Sequence, residues 1–152
     1  MALGDGYAEF LSIQYRARVP IEAWLERSAS EVTVPRQTPL IARDLAELGI
    51  DVPTDLDGFE PDDMREALGI CWTLAGSSMG NRAILMQRRK RGLDQANRFL
   101  CDPAMPAAWS RLRPVLETPT DETTAHNALR GAMRTFDRFL GLARREEMQI
   151  AA

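Results

Sequence analysis

From Phe10 to Ala143 the apolar residues of this chain recur at steps of three and four, and no stretch sustains the alternation of a half-buried strand. That period admits helices and little else. Only the short Val32-Thr33-Val34 run has strand-like composition. The expectation is an all-α fold in one domain spanning residues 1–152, because 152 residues with 45% hydrophobic content supply one ordinary core and not two.

Local signals divide the period into elements. A first helix is expected after Asp5, an N-cap residue type, with Phe10, Leu11, Gln14, Tyr15, Ile21, Trp24 and Leu25 along one side and a kink near Val19 caused by Pro20. Thr38-Pro39 reads as the start of a short helix carrying Leu40, Ile41, Leu45 and Leu48, with Gly49 as its C-terminal cap. Asp51 to Pro61 has turn formers and acids but no apolar period, and reads as a surface loop. A long central helix follows from about Asp62 to Arg91, with a bend over Gly76–Asn81 where helix propensity is low. Leu93–Leu100 and a segment opening at Pro106 read as short helices, Pro114 bending or shortening the second. The last helix begins between Thr120 and Thr123 and places Leu129, Met133, Phe136, Phe139, Leu140 and Ala143 on one face, which should pack on the central helix.

Several function classes find no support. A net charge of -3 gives no general attraction to nucleic acid or to an anionic membrane, and no stretch approaches the ~20 apolar residues of a membrane helix. The Arg88-Arg89-Lys90-Arg91 run is read as a solvated helix end, so no nucleic-acid partner and no membrane partner is expected. The N-terminus lacks the charge and apolar pattern of a secretory leader, which makes the expected location cytoplasmic. Cys71 and Cys101 have no CxxC spacing, and the single histidine, His126, reads as a helix-start residue, so no structural metal is expected. No GxSxG elbow, phosphate-binding glycine loop or carboxylate pair marks a hydrolase or nucleotide site.

One segment stands out. Gly69, Thr73, Gly76, Gly80 and Ala83 are separated by four, three, four and three residues, which stacks them along one side of a helix. Interior glycines cost about 0.5–1 kcal/mol each relative to alanine, so backbone exposed in this way has a use. Either a second helix or a flat ligand approaches the helix axis there.

The wording of Ile70-Cys71-Trp72-Thr73-Leu74-Ala75-Gly76-Ser77-Ser78-Met79-Gly80-Asn81-Arg82 resembles the distal helix of bacterial, biliverdin-producing heme oxygenases. The Asp5–Glu22 and Pro39–Gly49 segments are similar to that family's second and third helices, and Arg98-Phe99-Leu100, Asp102-Pro103, Trp109 and Thr135–Leu140 follow the family order. The resemblance implies a heme oxygenase-like bundle of about six or seven helices without the family's first helix, since four residues precede Asp5. It also implies heme as cofactor, with Gly76 and Gly80 admitting the macrocycle, Ser77 and Ser78 near a pocket water, Asn81 where the family often has a third glycine, and Arg111 or Arg113 facing propionates.

The family's proximal histidine belongs to the helix that is not present here, and the motif does not transfer that role to His126. Two readings follow. The first is a divergent protein without standard heme oxygenation, binding heme, another tetrapyrrole or a flat apolar ligand, or serving as an interaction protein. The second is a working heme oxygenase whose axial ligand is non-standard or supplied by a partner. A homodimer through the face left open by the absent helix is expected under either.

Overall fold

A computed structural model describes the backbone of residues 2–28 and 30–151 and the side chains of residues 6–28 and 30–148. Its regular elements are α1 (Ala2–Ser28), α2 (Thr38–Glu47), a 3-10 turn (Met64–Glu66), α3 (Ala67–Gly76), α4 (Ser78–Lys90), α5 (Arg98–Cys101), α6 (Ala104–Glu117) and α7 (Glu122–Ala151). Among the described residues all regular structure is helical, as the period predicts. Val32 and Val34 form no strand and pack as partly buried side chains on the core.

Two core clusters share α1. Its C-terminal half contributes Ile21, Trp24 and Leu25, which meet Ile70, Cys71 and Leu74 of α3 and Met105, Ala108 and Leu112 of α6. Its N-terminal half contributes Tyr7 and Leu11, which meet Ile41 and Leu45 of α2, Leu85 of α4 and Phe99 and Leu100 of α5. Phe59, inside the stretch read as a surface loop, is buried in the first cluster and stands edge-on to Trp24. A single aromatic anchor leaves no period, which is why the loop reading missed it.

Helix starts are capped in part by acids from earlier segments. The Glu22 carboxylate of α1 accepts from the Gln37 and Thr38 amides and the Thr38 hydroxyl, so α2 begins at Thr38-Pro39 with its orphan donors satisfied across 16 positions. Asp44 of α2, fully buried, accepts from the Arg98 and Phe99 amides and caps α5 in the same way. Other ends are local. Gly49 at φ 75° closes α2 with Gly49 N–H to Ala46 O at 3.0 Å and Ile50 N–H to Leu45 O at 2.9 Å, the paired bonds of a Schellman end. Asp63 and Glu66 cap the 3-10 turn reciprocally, and Asp121 accepts from the Thr124 amide at 2.7 Å to open α7.

Several boundaries differ from expectation. The backbone of α1 is already helical at Ala2, so Asp5 is not its first cap. The central helix is preceded by the 3-10 turn and divided at Ser77 into α3 and α4, within the stretch expected to bend. Leu93–Leu100 is helical only from Arg98, because Gly92 and Ala96 adopt positive φ; the Ala96 carbonyl accepts the Tyr7 hydroxyl at 2.6 Å and its amide donates to Glu47. Pro114 does not end α6, which continues to Glu117.

The largest correction concerns α7. Leu129, Met133, Phe136 and Leu140, expected against the central helix, are 58%, 56%, 59% and 48% exposed. The face that meets α3 instead carries Ala128, Gly131, Ala132 and Thr135: a Cβ on Gly69 would strike the Ala128 carbonyl, and one on Gly131 would strike the Glu66 carbonyl. Small residues on both helices bring the backbones together, and that contact excludes the bulkier stripe. Among the described residues no helix is long and apolar enough to cross a membrane.

Candidate functional site

The small-residue side of the central helix changes use along its length. At Gly69 it is covered by α7; at Thr73 and Gly76 it borders a hollow of about 500 Å³; at Gly80 it meets no atom within 4 Å. A volume of that size lies in the ~300–1,000 Å³ range of small-molecule sites. Trp72 and Trp109 line it with ring centroids 6.1 Å apart, Phe136 and Phe139 of α7 line it too, and Met79 contributes a thioether. A Cβ on Gly76 would stand 3.7 Å from Trp109 Cζ3, in ordinary van der Waals contact with the indole, so the glycine backbone and the ring face each other across the edge of the hollow.

The polar groups lining the hollow include Gln14 of α1 and Ser77 at the α3–α4 junction. Both are bonded to one buried cation. Arg18 donates from Nε to Gln14 Oε1 at 2.9 Å and from Nη2 to Ser77 Oγ at 3.0 Å, while Ser77 Oγ donates to the Leu74 carbonyl at 2.6 Å. The Arg18 guanidinium carbon lies 5.1 Å from the Phe99 ring centroid and 5.8 Å from that of Phe139. Arg18 is 1% exposed and its Nη1 has no hydrogen-bond partner. Burial lowers its pKa to about 10, with Glu22 opposing the shift.

Of the residues singled out from sequence, the hollow brings together Thr73, Gly76 and Ser77. Gly80 is on the exposed side of α4, Asn81 is buried away from the hollow's lining, and Arg111 is exposed on α6. Ser78 is buried, and Arg113 is paired with Glu117 at 3.3 Å. Arg88, read as part of a solvated basic end, is buried: it donates to Asn97 Oδ1 and the Gln95 carbonyl and lies 3.6 Å over the Tyr7 ring, whereas Arg89, Lys90 and Arg91 are exposed. His126 is exposed and does not line the hollow.

The aromatic walls and Arg18 were not anticipated. Arg18 did leave a signal, because Leu11, Gln14, Arg18, Ile21 and Leu25 follow one another at steps of three and four, placing a cation inside the apolar stripe of α1.

As for a heme, the residues fit it only in part. The hollow offers apolar, aromatic surroundings for a planar body, but among the described residues its lining includes no histidine, cysteine or tyrosine, leaving the Met79 thioether as the one soft donor there. Among the described residues no group of three or more His, Cys, Asp and Glu side chains is placed to hold a metal ion. No family model, curated protein or solved structure matches the chain.

Proposed function

We propose that this chain is a non-catalytic, heme oxygenase-like binding protein whose ligand is a planar, largely apolar molecule of the tetrapyrrole kind. The observation that carries the reading is the hollow of about 500 Å³ over Gly76, with Trp72, Trp109, Phe136 and Phe139 around it. Gly76, the last residue of α3, brings bare backbone to the wall of the hollow, with Trp109 Cζ3 3.7 Å from where a Cβ would stand. The donor set argues for binding over oxygenation, because iron-based oxygen chemistry needs an axial ligand that these side chains do not strongly provide.

A second reading, an active heme oxygenase with its axial ligand supplied by a second copy, draws on one observation. Phe136 both lines the hollow and belongs to the exposed stripe Leu129-Met133-Phe136-Leu140, whose four-three-four spacing is that of a helix-pairing seam. A homodimer formed along α7 buries that stripe on both subunits and closes the mouth of the hollow.

Titration with protoporphyrin and with hemin, followed by tryptophan quenching and by the Soret band, tests both. Saturable binding of both compounds, removed by Gly76→Leu and followed by no biliverdin when reductant and oxygen are added, supports the binding protein. A biliverdin band favours the enzyme. Absence of saturable binding of either compound removes both readings.

A further inference from the structure

A guanidinium carries five N–H donors and a full charge, and a buried one is normally matched by a carboxylate. Arg18 has only two neutral acceptors, Gln14 Oε1 and Ser77 Oγ, and among the described residues no carboxylate oxygen lies within 4.0 Å of it. Its Nη1 is enclosed without a partner. The Phe99 and Phe139 rings offset part of the cost of burying the charge, but they accept no hydrogen bond from Nη1, and an enclosed charged donor without a partner is expensive.

The two side chains that hold Arg18 are the same two that give the hollow its polar end. Their hydrogen bonds orient them. Gln14 turns its carbonyl oxygen to Arg18 and so has its amide N–H groups left to donate; Ser77 spends its own proton on the Leu74 carbonyl. The polar end therefore presents donors backed by a positive charge, against a lining that is aromatic and apolar apart from the Thr73 hydroxyl, which donates to the Gly69 carbonyl at 2.9 Å.

Resting on the binding reading above, we propose that the ligand is an apolar acid, with its body in the hollow and its carboxylate directed to Gln14 and Arg18. A bidentate pair on the Nη1–Nη2 edge requires a turn of the Ser77 side chain, which exchanges a neutral acceptor on Nη2 for two charge-assisted bonds.

Two fluorescent probes with the same flat ring and linker, 1-pyrenebutyrate and 1-pyrenebutanol, test this on the full-length protein. The acid is expected to bind about tenfold or more tightly than the alcohol, the factor that one favourable charge-assisted bond supplies. Arg18→Met should reduce this preference to near unity, and Arg18→Lys should retain part of it. Equal affinity of the wild-type protein for the two probes overturns the anion site while leaving the apolar hollow standing. Failure of both probes to bind overturns the hollow as a ligand site, and the anion site with it. The wild-type comparison stands even if a variant does not fold.

Discussion

Pro20 on α1 and Arg138 on α7 are complementary halves of one hydrogen-bonding arrangement. Pro20 has no N–H, so the carbonyl of Arg16 one turn earlier has lost its helical donor. Arg138 replaces it, donating from Nη2 to Arg16 O at 2.9 Å and from Nε to Ala17 O at 3.0 Å. The same guanidinium reaches the Asp57 and Gly58 carbonyls at 3.0 and 3.2 Å, so it also fixes the end of the loop that carries Phe59 into the core.

Removing that cation should therefore cost more than a surface arginine does. Arg138→Met is expected to destabilise the fold by about 2–3 kcal/mol in urea unfolding, since carbonyls in a packed interface are left without donors. In a Pro20→Ala background, which restores an amide for Arg16 O, the same substitution should cost measurably less. An equal cost in both backgrounds would show that the two residues are not coupled.

The glycines should separate into opposing classes. Gly69→Ala places a Cβ on backbone atoms of α7 and Gly131→Ala places one on those of the 3-10 turn at Glu66, and both are expected to lower stability by several kcal/mol or prevent folding. Gly80→Ala meets nothing within 4 Å and should raise stability by about 0.5–1 kcal/mol through helix propensity. Thermal unfolding of the three variants checks the ordering, and a destabilised Gly80→Ala would contradict it.

The two thiols should differ in reactivity. Burial pushes the Cys71 thiol up to about 12, and its Sγ faces the Val32 carbonyl, whereas Cys101 is exposed. A thiol-specific chromogenic disulfide at pH 8 is expected to modify one cysteine in the native protein and both in denaturant. Mass mapping of the native adduct to Cys71 would overturn the assignment.

Acid should weaken the fold from a defined side. Arg65 holds the Asp63 carboxyl down at about 2, and Glu47, Asp57 and Asp121 are held below their ordinary values by Arg98, by Arg145 and by the Thr124 amide. A carboxylate with a depressed folded-state pKa contributes stability that is present above its unfolded value, about 3.9 for aspartate, and is lost as the pH falls through the folded value. The melting temperature should thus hold level from pH 7 to about 5 and decline between pH 4 and 2. Asp63→Asn should make that decline shallower; a wild-type melting temperature that rises in acid would contradict the assignment.

What the sequence determined by itself is the local grammar. Helical period, the Gly49 stop, the start of α7 between Thr120 and Thr123, the proline inside α1 and the weak stretch around Ser77 all depend on residues within one or two turns of each other, which is why spacing alone reveals them; Thr38-Pro39 also marks the start of α2, although Glu22 caps it from 16 positions away. The spacing of small residues also marked Thr73 and Gly76, which line the hollow, because a helical face is written in residue type. Which face of α7 turns inward was decided only by the tertiary structure. The bulkier stripe has the stronger apolar signal, but helix contact depends on how closely two backbones approach, and that is set jointly by Gly69 on α3 and by Ala128 and Ala132 on α7. For the same reason the aromatic walls, and the place of Arg18 behind the hollow, emerge only in three dimensions: α1 carries a cation in its apolar stripe, but the hollow is bounded by α1, the α3–α4 junction, α6 and α7, and no local pattern records how elements so far apart in the chain leave space between them.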